Sequence, residues 1–423
     1  MLDSVRLPTK QALFRKMASC GRPAWILTKV GEILCLTPMR ALFLLDPDLI
    51  FLNHGSFGAC PVEVMAKYQR WQMELERNPV EFLGRRSAEL LAHSRAALAD
   101  ELGAKPEHLV YLPNATSGVN TVARSIPLQP GDEILTSDHE YGACDNTWQF
   151  VCQRTGARNV PVEIPLPFEA EEFTNRIWAG VTLRTRVIFL SHITSTTGLI
   201  FPVAEVCKRA REAGILTFID GAHAPGHIAL GIDELGADFY TGNCHKWLCA
   251  PKGAAFLHVR PEHHPLIDAP VVSWGYGANI TGHTGFDAYT GSTLLERRLQ
   301  WQGTRDIAAF LSVPAAIEFQ TGHAWHRIRQ GCHALAAQTV QRICDITGLP
   351  PICHDGDFGQ MVVIPVPAMD PEFLKRTLFD SYRIEIPVTS HKDRLFLRLS
   401  IQGYNTVNDA DALVDAVKEI YAL

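Results

Sequence analysis

Apolar and polar positions follow a repeating pattern between about residues 100 and 260, where short apolar runs alternate with longer segments of helical periodicity. The runs VIFLS at 187–191 and LTFID at 216–220 are continuous, which is typical of strands buried on both faces. This alternation predicts an α/β fold with a mostly parallel sheet and helices on both of its faces. Strands are predicted at 108–113, 132–137, 186–192, 216–220, 239–241 and 254–259, and helices from 117 onward and at 143–155 and 203–213.

The pattern changes after Arg305. Helical periodicity at 307–329 is followed by a predicted strand at 360–365, a helix at 371–380, a strand at 395–401 and a helix at 409–420. We therefore predict a large α/β domain over residues 45–305 and a smaller C-terminal α+β domain over residues 306–423.

Residues 1–44 precede the first predicted domain. The stretch 25–45 is apolar, but it is interrupted by Lys29, Glu32, Pro38 and Arg40. It therefore lacks the continuous apolar length that a membrane-spanning helix needs. No small-residue cleavage signal is clear, so we predict a helical N-terminal extension and no membrane partner.

The composition narrows the expected partners and compartment. The 423 residues are 47% hydrophobic and 20% charged, which is typical of a globular protein. The net charge is -6 and the basic residues are dispersed, so neither nucleic acid nor anionic membrane is an expected partner. The 11 cysteines form no CxxC pair, which favours reduced thiols in the cytoplasm and predicts no metal site.

Two ionisable residues stand where successive predicted strands end. Asp220 closes the strand predicted at 216–220, and Lys246 follows the strand predicted at 239–241. Taken singly, the aspartate is typical of a turn or a helix cap, and most lysines are surface charges. Their combination is more informative, because the carboxyl ends of strands in an open α/β sheet meet at one crevice. A pyridoxal 5′-phosphate (PLP) site needs both groups: a lysine for the Schiff base and an acid that keeps the pyridine nitrogen protonated.

A third segment suits the phosphate of such a cofactor. The sequence NATSG at 114–118 follows the strand predicted at 108–113 and opens a helix. Free N–H groups and a hydroxyl at a helix N-terminus bind anions. The same sequence is also an ordinary helix-capping sequence, so it supports a PLP site only in combination with Asp220 and Lys246.

Seven motifs occur in a characteristic order: NATSG, DHEYGA, SHITSTTG, IDGAHAPG, TGNCHKW, GTRD and RLSIQGYNT. In this order the sequence resembles the class V aminotransferases, a family of fold-type I PLP enzymes that includes cysteine desulfurases, kynureninases and isopenicillin N epimerases. The segments LNHGSFG at 52–58 and DHEYG at 138–142 are most similar to the isopenicillin N epimerase branch. The resemblance covers roughly residues 45–420 and implies the fold-type I architecture, with a seven-stranded sheet in the large domain.

The resemblance implies roles for individual residues. Lys246 would carry the Schiff base and the proton at Cα, and Asp220 would pair with the pyridine nitrogen. His139 would stack on the ring as a further catalytic residue, with Tyr141 as the alternative. The other implied cofactor contacts are Ala115, Thr116 and Ser117 at the phosphate, His223 and Ser195 near the phenolic oxygen, His245 beside the lysine, and Thr304.

Three implied roles concern partners. Thr304, in the motif GTRD, matches a residue that reaches the phosphate from the second subunit, which implies a homodimer with shared active sites. Arg398 matches the arginine that holds the substrate carboxylate, for which a bidentate guanidinium is suited. His54 is a further substrate-side candidate, and an ordinary turn histidine is the alternative.

Two departures from the family pattern bear on the reaction. Ser195 stands where desulfurases often have an asparagine beside the phenolic oxygen, and Asn243 replaces a small hydroxyl residue. The segment 383–390 contains no cysteine, although desulfurases carry a nucleophilic cysteine in this region. Persulfide chemistry therefore lacks its attacking thiolate.

The leading functional hypothesis is an epimerase or racemase that acts at Cα of an amino acid. The alternatives are a C–S (β-)lyase of cysteine conjugates and a class V aminotransferase, since all three share the loss of the Cα proton. Epimerisation needs a second proton carrier, for which His54, Tyr141 and His223 are candidates. An alternative of another class is a protein that binds PLP without catalysis. The presence of Asp220, Lys246 and Arg398 argues against it, because a non-catalytic protein would be free to lose them.

Overall fold

The structure is a computed structural model that describes residues 25–27, 33–35, 39–276, 291 and 293–423. Its strands are, in chain order, β1 Trp25–Leu27, β2 Ile33–Cys35, β3 Ile50–Phe51, β4 Leu109–Leu112, β5 Glu133–Ser137, β6 Arg158–Val162, β7 Thr185–Ser191, β8 Leu216–Gly221, β9 Phe239–Asn243, β10 Ala255–Val259, β11 Met361–Val366, β12 Ile384–Glu385, β13 Val388–His391 and β14 Arg394–Ser400.

The described helices surround these strands. They are α1 His54–Phe57, α2 Val62–Arg77, α3 Pro79–Glu81, α4 Ser87–Leu102, α5 Ala115–Ser125, α6 Gly142–Thr155, α7 Ala170–Ala179, α8 Val203–Glu212, α9 Ile232–Leu235, α10 Leu294–Leu299, α11 Ala308–Leu311, α12 Val313–Gly322, α13 Trp325–Thr347, α14 Pro371–Tyr382 and α15 Val407–Tyr421. A π-helical turn covers Phe82–Arg86, and 3₁₀ turns cover Met39–Leu42, Pro106–His108, Pro261–Leu266, Trp274–Tyr276 and Asp355–Asp357.

A seven-stranded sheet in the order β4-β10-β9-β8-β7-β5-β6 forms the centre of the fold. Strand β10 runs antiparallel to both of its neighbours, and the other described pairs are parallel. Alternate residues of each central strand belong to two separate hydrophobic clusters: Phe189 and Phe218 pack on one face, and Leu190 and Ile219 on the other. Both faces are therefore buried, which confirms the α/β class predicted from the continuous apolar runs.

The C-terminal part of the chain builds a second core. The antiparallel sheet β11-β14-β13 packs with α13, α14 and α15 around a hydrophobic cluster that runs from Cys332 to Val417. Residues from Ile307 to Trp325 belong instead to the cluster under the large sheet. The division at residues 305 and 306 remains a prediction. Cys332 is the first buried side chain after Trp325 that belongs to the C-terminal cluster.

The segment before α1 joins the small domain to the large one. Strand β3 pairs in parallel with β12, and the Ser400 amide donates a hydrogen bond of 3.0 Å to the Leu52 carbonyl. The Leu52 side chain is fully buried in the C-terminal hydrophobic cluster. This anchoring places the beginning of α1 at the boundary between the two cores.

Several elements differ from the sequence-based prediction. The described part of 1–38 contains the antiparallel pair β1–β2 rather than helix, since WIL and ILC are short runs rich in residues of high β propensity. The rest of 1–38 lies outside the described residues. Strand β6 and helix α7 were not predicted, because half-exposed elements carry weak apolar runs. No helix in the described part of the chain has the length and apolarity needed to cross a membrane.

Candidate active site

A cavity of about 460 Å³ opens at the edge where the parallel strands of the large sheet end. The loops after β4, β7, β8 and β9 contribute to its lining, as expected for the carboxyl edge of an open α/β sheet. The lining residues are Gly55, Ser56, Phe57, Pro113, Asn114, Ala115, Thr116, Tyr141, Ser191, Ile193, Ser195, Asp220, Ala222, His223, Asn243, His245, Lys246, Gly253 and Arg398.

Lys246 projects its amine into this cavity from the turn after β9. Burial of the amine, together with the nearby Arg398 charge, lowers the pKa of Lys246 to about 7. The turn is held by the Cys249 amide, which donates to the Lys246 carbonyl at 3.0 Å. A substantial fraction of this amine is therefore neutral near pH 7, the form that attacks a carbonyl carbon.

His223 orients the lysine amine. Its Nε2 atom lies 3.0 Å from Lys246 Nζ, and its Nδ1 atom accepts a hydrogen bond from the Trp247 indole at 3.3 Å. Burial lowers the pKa of His223 well below its usual range, so the ring is neutral. A neutral ring that accepts at Nδ1 carries its proton on Nε2, and this proton points at the lone pair of the neutral amine.

Asp220 lies at the end of β8, next to the strand β9 that precedes Lys246. Its Oδ1 atom accepts a hydrogen bond of 2.9 Å from the Ala222 amide, and its Oδ2 atom accepts one of 3.4 Å from the Cys144 thiol. Burial raises the pKa of Asp220 above its usual value, and the two donors and the Lys246 charge offset only part of this increase. Its side chain lines the cavity, where its remaining lone pairs face any N–H group bound there.

Glu140 is a buried carboxyl group behind Asp220 that the sequence analysis did not single out. It accepts hydrogen bonds from Ser137 Oγ at 2.5 Å and from the Ser191 amide at 2.8 Å. Burial raises its pKa to about 8, and the charge of Asp220 adds to the increase. Glu140 is therefore largely protonated at neutral pH.

Arg398 enters the cavity from strand β14 of the small domain. One terminal nitrogen donates to the Ser195 carbonyl at 2.7 Å, and the other donates to Ser56 Oγ at 2.7 Å. Among the described residues its buried Nε atom has no hydrogen-bond partner. Burial lowers the pKa of Arg398 to about 10, which still leaves it charged at neutral pH. A buried cation with an unused donor suits an anionic substrate group.

The N-terminus of helix α5 forms one wall of the cavity. Asn114 caps the helix by accepting a hydrogen bond of 2.8 Å from the Ser117 amide, and Asn243 accepts one of 2.9 Å from the Ala115 amide. Ala115 and Thr116 line the cavity, whereas the Ser117 hydroxyl donates to Asn114 and lies outside the lining. The departure at Asn243 thus has a structural role, since it fixes the start of the helix that faces the cavity.

The loop at 53–58 packs against the turn that carries the lysine. A side chain at Gly58, whose φ is +73°, would bring its Cβ within 2.1 Å of the His245 carbonyl oxygen. His54 is fully buried behind the cavity, where it contacts the Tyr404 hydroxyl at 2.9 Å and the Lys246 carbonyl at 3.1 Å. The His54 side chain thus lies outside the cavity lining, and a substrate-side role for it stays a prediction. Its neighbours Ser56 and Phe57 line the cavity instead.

His139 also lies outside the cavity lining. Its two ring nitrogens contact Thr197 Oγ1 at 2.9 Å and the Ile164 carbonyl at 2.8 Å, and the ring stacks on His391 with centroids 4.0 Å apart. The turn after β5 directs this side chain into the core and leaves Tyr141, two residues later, at the cavity. This placement favours Tyr141 over His139 as the residue that would stack on the cofactor ring.

The remaining predicted residues divide between the cavity and the surface. Ser195, His223 and His245 line the cavity, and their roles toward the cofactor stay predictions. Thr304 is exposed and lies outside the lining of the cavity in its own chain, so its contact with a second subunit stays a prediction.

These groups fit PLP. A buried amine, a buried carboxyl group, a helix N-terminus and an arginine with an unused donor converge on one cavity. They correspond to the aldehyde, pyridine nitrogen and phosphate of the cofactor and to the carboxylate of an amino acid.

Comparisons with known proteins agree with this interpretation. The sequence model of the aminotransferase class-V family matches residues 52–413. The isopenicillin N epimerase of Amycolatopsis lactamdurans is 37% identical over 383 residues, which cover 89% of this chain and 96% of that protein. The isopenicillin N epimerase of Streptomyces clavuligerus shows the same identity and coverage, 37%, 89% and 96%. A probable chloroplastic L-cysteine desulfhydrase of Arabidopsis thaliana is 27% identical over 413 residues, which cover 88% of this chain and 83% of that protein.

Solved structures show the same fold. The apo cysteine desulfurase of Thermococcus onnurineus NA1 superimposes with a TM-score of 0.76 at 20% identity, covering 91% of this chain and 98% of that chain. A C-DES variant with glycine covalently linked to its PLP cofactor superimposes with a TM-score of 0.77 at 20% identity, covering 90% of this chain and 99% of that chain. The predicted fold-type I architecture is thereby confirmed.

Proposed function

The chain belongs to the aminotransferase class-V family and is a PLP-dependent enzyme, and from this premise we propose that it is an epimerase or racemase that inverts Cα of an amino-acid substrate. The observation that carries the proposal is the 37% identity to two isopenicillin N epimerases along 96% of their length. The cavity supports it, since its described lining contains no thiol that would act as a persulfide-forming nucleophile.

Bound PLP acts as an electron sink that makes the Cα proton of an attached amino acid acidic. Lys246 is the residue that removes this proton, because its amine is buried in the cavity and has a pKa of about 7. With PLP and substrate bound, Asp220 would hold the proton of the pyridine nitrogen, and Arg398 would hold the substrate carboxylate. His223 keeps the lysine amine directed into the cavity through the 3.0 Å contact.

Inversion needs a second proton carrier, and the cavity supports one of the three candidates. His54 lies outside the lining, and His223 contacts the amine of Lys246 itself. Tyr141 lies on the other side of Asp220 along the sheet edge, because it follows β5 whereas Lys246 follows β9, three strands away. We therefore assign to Tyr141 both the stacking on the ring and the proton transfer opposite Lys246.

A C–S lyase is the second candidate function. It is favoured by the 27% identity to a probable L-cysteine desulfhydrase and the 28% identity to a putative one from Oryza sativa. Aminotransferase activity remains the third, since the same first proton transfer begins it. The three reactions diverge only after the Cα proton has been lost.

One incubation distinguishes the candidates. Holoenzyme in D₂O is given isopenicillin N and, separately, L-cysteine and S-substituted L-cysteines, and the products are resolved by chiral chromatography and mass spectrometry. An epimerase gives the Cα epimer with one deuterium and no keto acid. Release of pyruvate with sulfide or thiol would instead identify a lyase, and keto acid with aminated cofactor would identify an aminotransferase.

The assembly and location are proposals of the same kind. A homodimer with shared sites is supported by the exposed position of Thr304, and light scattering of the holoenzyme tests it. A cytoplasmic location is supported by the nine cysteines between Cys60 and Cys353, each of which has a free thiol. Cell fractionation tests this second proposal.

A further inference from the structure

Three side chains of types that can bind a metal ion lie close together at the end of the large sheet opposite the active site. His108 ends the 3₁₀ turn Pro106–His108, Asp233 lies in α9 and His258 lies in β10. They lie near the start of β4, whereas Pro113, just beyond its end, lines the active-site cavity. The four residues of β4 therefore separate this group from the active-site cavity by about 13 Å.

The three donor atoms form a small triangle. His258 Nε2 lies 2.9 Å from Asp233 Oδ1, His108 Nδ1 lies 3.5 Å from the same oxygen, and all three donor atoms lie within 4.8 Å of one another. Ligand atoms of a tetrahedral zinc ion with bonds of about 2.05 Å are about 3.3 Å apart. The two distances to Asp233 Oδ1, 2.9 and 3.5 Å, bracket this value, and the longer one is at the limit of an ordinary hydrogen bond.

The surroundings leave room for an ion and a water molecule. A cavity of about 220 Å³ lies against the three residues. The His258 side chain is 1% exposed, so it is fixed in position, while Asp233 is 33% exposed and faces solvent. The nearby Arg260 charge is paired with Glu262 at 2.6 Å and with Asp238 at 3.5 Å. The adjacent His264 is not available as a ligand through Nε2, which contacts the Val259 carbonyl at 2.9 Å.

We propose that His108, Asp233 and His258 form a binding site for a divalent transition-metal ion, with zinc as the ion it takes and water as the fourth ligand. Two imidazole nitrogens and one carboxylate oxygen are the ligand set that zinc accepts in open sites. The bound ion would tie the turn before β4 to α9 and to β10. Its role is therefore to stabilise this side of the sheet.

Zinc alone is the probe for this site. Holoenzyme is freed of metal with a chelator and equilibrated with Zn²⁺ by dialysis, and bound zinc is measured by elemental analysis. Asp233→Asn keeps an acceptor for His258 but removes the charge of the ligand, and His108→Gln removes an imidazole. His264→Gln, a change at the neighbouring histidine, is the matched control. The visible band of the cofactor reports that each variant is folded.

We expect wild type and His264→Gln to bind one zinc ion per chain. Their affinity for zinc should be at least tenfold higher than that of Asp233→Asn or His108→Gln, since changes to residues that only support metal ligands already cost about tenfold or more. Zinc should also raise the melting temperature of these two proteins and leave that of Asp233→Asn unchanged. Equal zinc affinity and equal melting shifts in wild type and Asp233→Asn would overturn the proposal. So would a wild-type protein that binds no zinc at submillimolar free ion.

Discussion

His223 Nε2 lies 3.0 Å from Lys246 Nζ, and a hydrogen bond from Trp247 to the other ring nitrogen determines which of these two atoms donates. Because the indole N–H donates to His223 Nδ1, the neutral ring presents its remaining proton to the lysine. A protonated lysine would meet this proton unfavourably, so the contact adds to the effect of burial in favouring the neutral amine. Lys246 is thus prepared for covalent attachment before any cofactor binds.

The rate at which apoenzyme attaches PLP should therefore rise with pH through a midpoint near the lysine pKa of about 7. Trp247→Phe removes the indole N–H and frees His223 to accept from a protonated amine. We expect the midpoint to move upward in this variant, as measured by the growth of the cofactor band in stopped-flow experiments. Lys246→Ala is the control that gives no covalent band at any pH. An unchanged midpoint in Trp247→Phe would contradict the tautomer argument.

Glu140 should make stability depend on pH. Its pKa in the folded state is about 8, whereas that of an unfolded glutamate is about 4.3. The stability that its neutral form contributes is complete below the unfolded value and is lost as the pH rises through the folded one. Between these values unfolding releases a proton, so the free energy of unfolding falls by up to about 1.4 kcal/mol per pH unit.

In Glu140→Gln this contribution to the slope should vanish. Chemical denaturation of wild type and variant between pH 5 and pH 8 measures it, with the exposed Glu171→Gln as a control that keeps the wild-type slope. Parallel pH profiles of wild type and Glu140→Gln would show that Glu140 is ionised in the fold.

Arg398 should determine affinity for the substrate carboxylate. Arg398→Lys keeps the charge but loses the planar pair of donors held by Ser56 and Ser195. Loss of one hydrogen bond to a charged group costs about 1.5–3 kcal/mol, which corresponds to roughly 10- to 100-fold in kcat/KM. Steady-state kinetics with an amino acid and with its amide test this, since kcat/KM for the amide, which has no carboxylate, should fall far less in the variant. An equal loss with both substrates would point to a general distortion of the site.

The sequence predicted the parts of this site that depend on local patterns. Asp220 ends one predicted strand and Lys246 follows the next, so the predicted fold indicates where they meet. The orientation of side chains in turns was not predictable: His139 and Tyr141 share one motif, yet the structure turns one into the core and leaves the other at the cavity. The group of His108, Asp233 and His258 also escaped notice, because 125 and 25 residues separate its members along the chain.

Tyr141 is the residue on which inversion should depend. Tyr141→Phe keeps the aromatic ring that covers the cofactor and removes only the hydroxyl that would carry a proton. If Lys246 serves one side of Cα and Tyr141 the other, the variant should still exchange the Cα proton of one stereoisomer with D₂O. Formation of the opposite stereoisomer should fall by about 10²- to 10⁴-fold, the contribution typical of a positioned acid or base. Mass spectrometry after chiral separation measures exchange and inversion in one sample. Phe57→Tyr, a change at another exposed ring of the cavity lining, is a control expected to retain both activities. Equal losses of exchange and inversion in Tyr141→Phe would mean that the hydroxyl positions the substrate for both steps, and the second proton carrier would then have to be sought elsewhere.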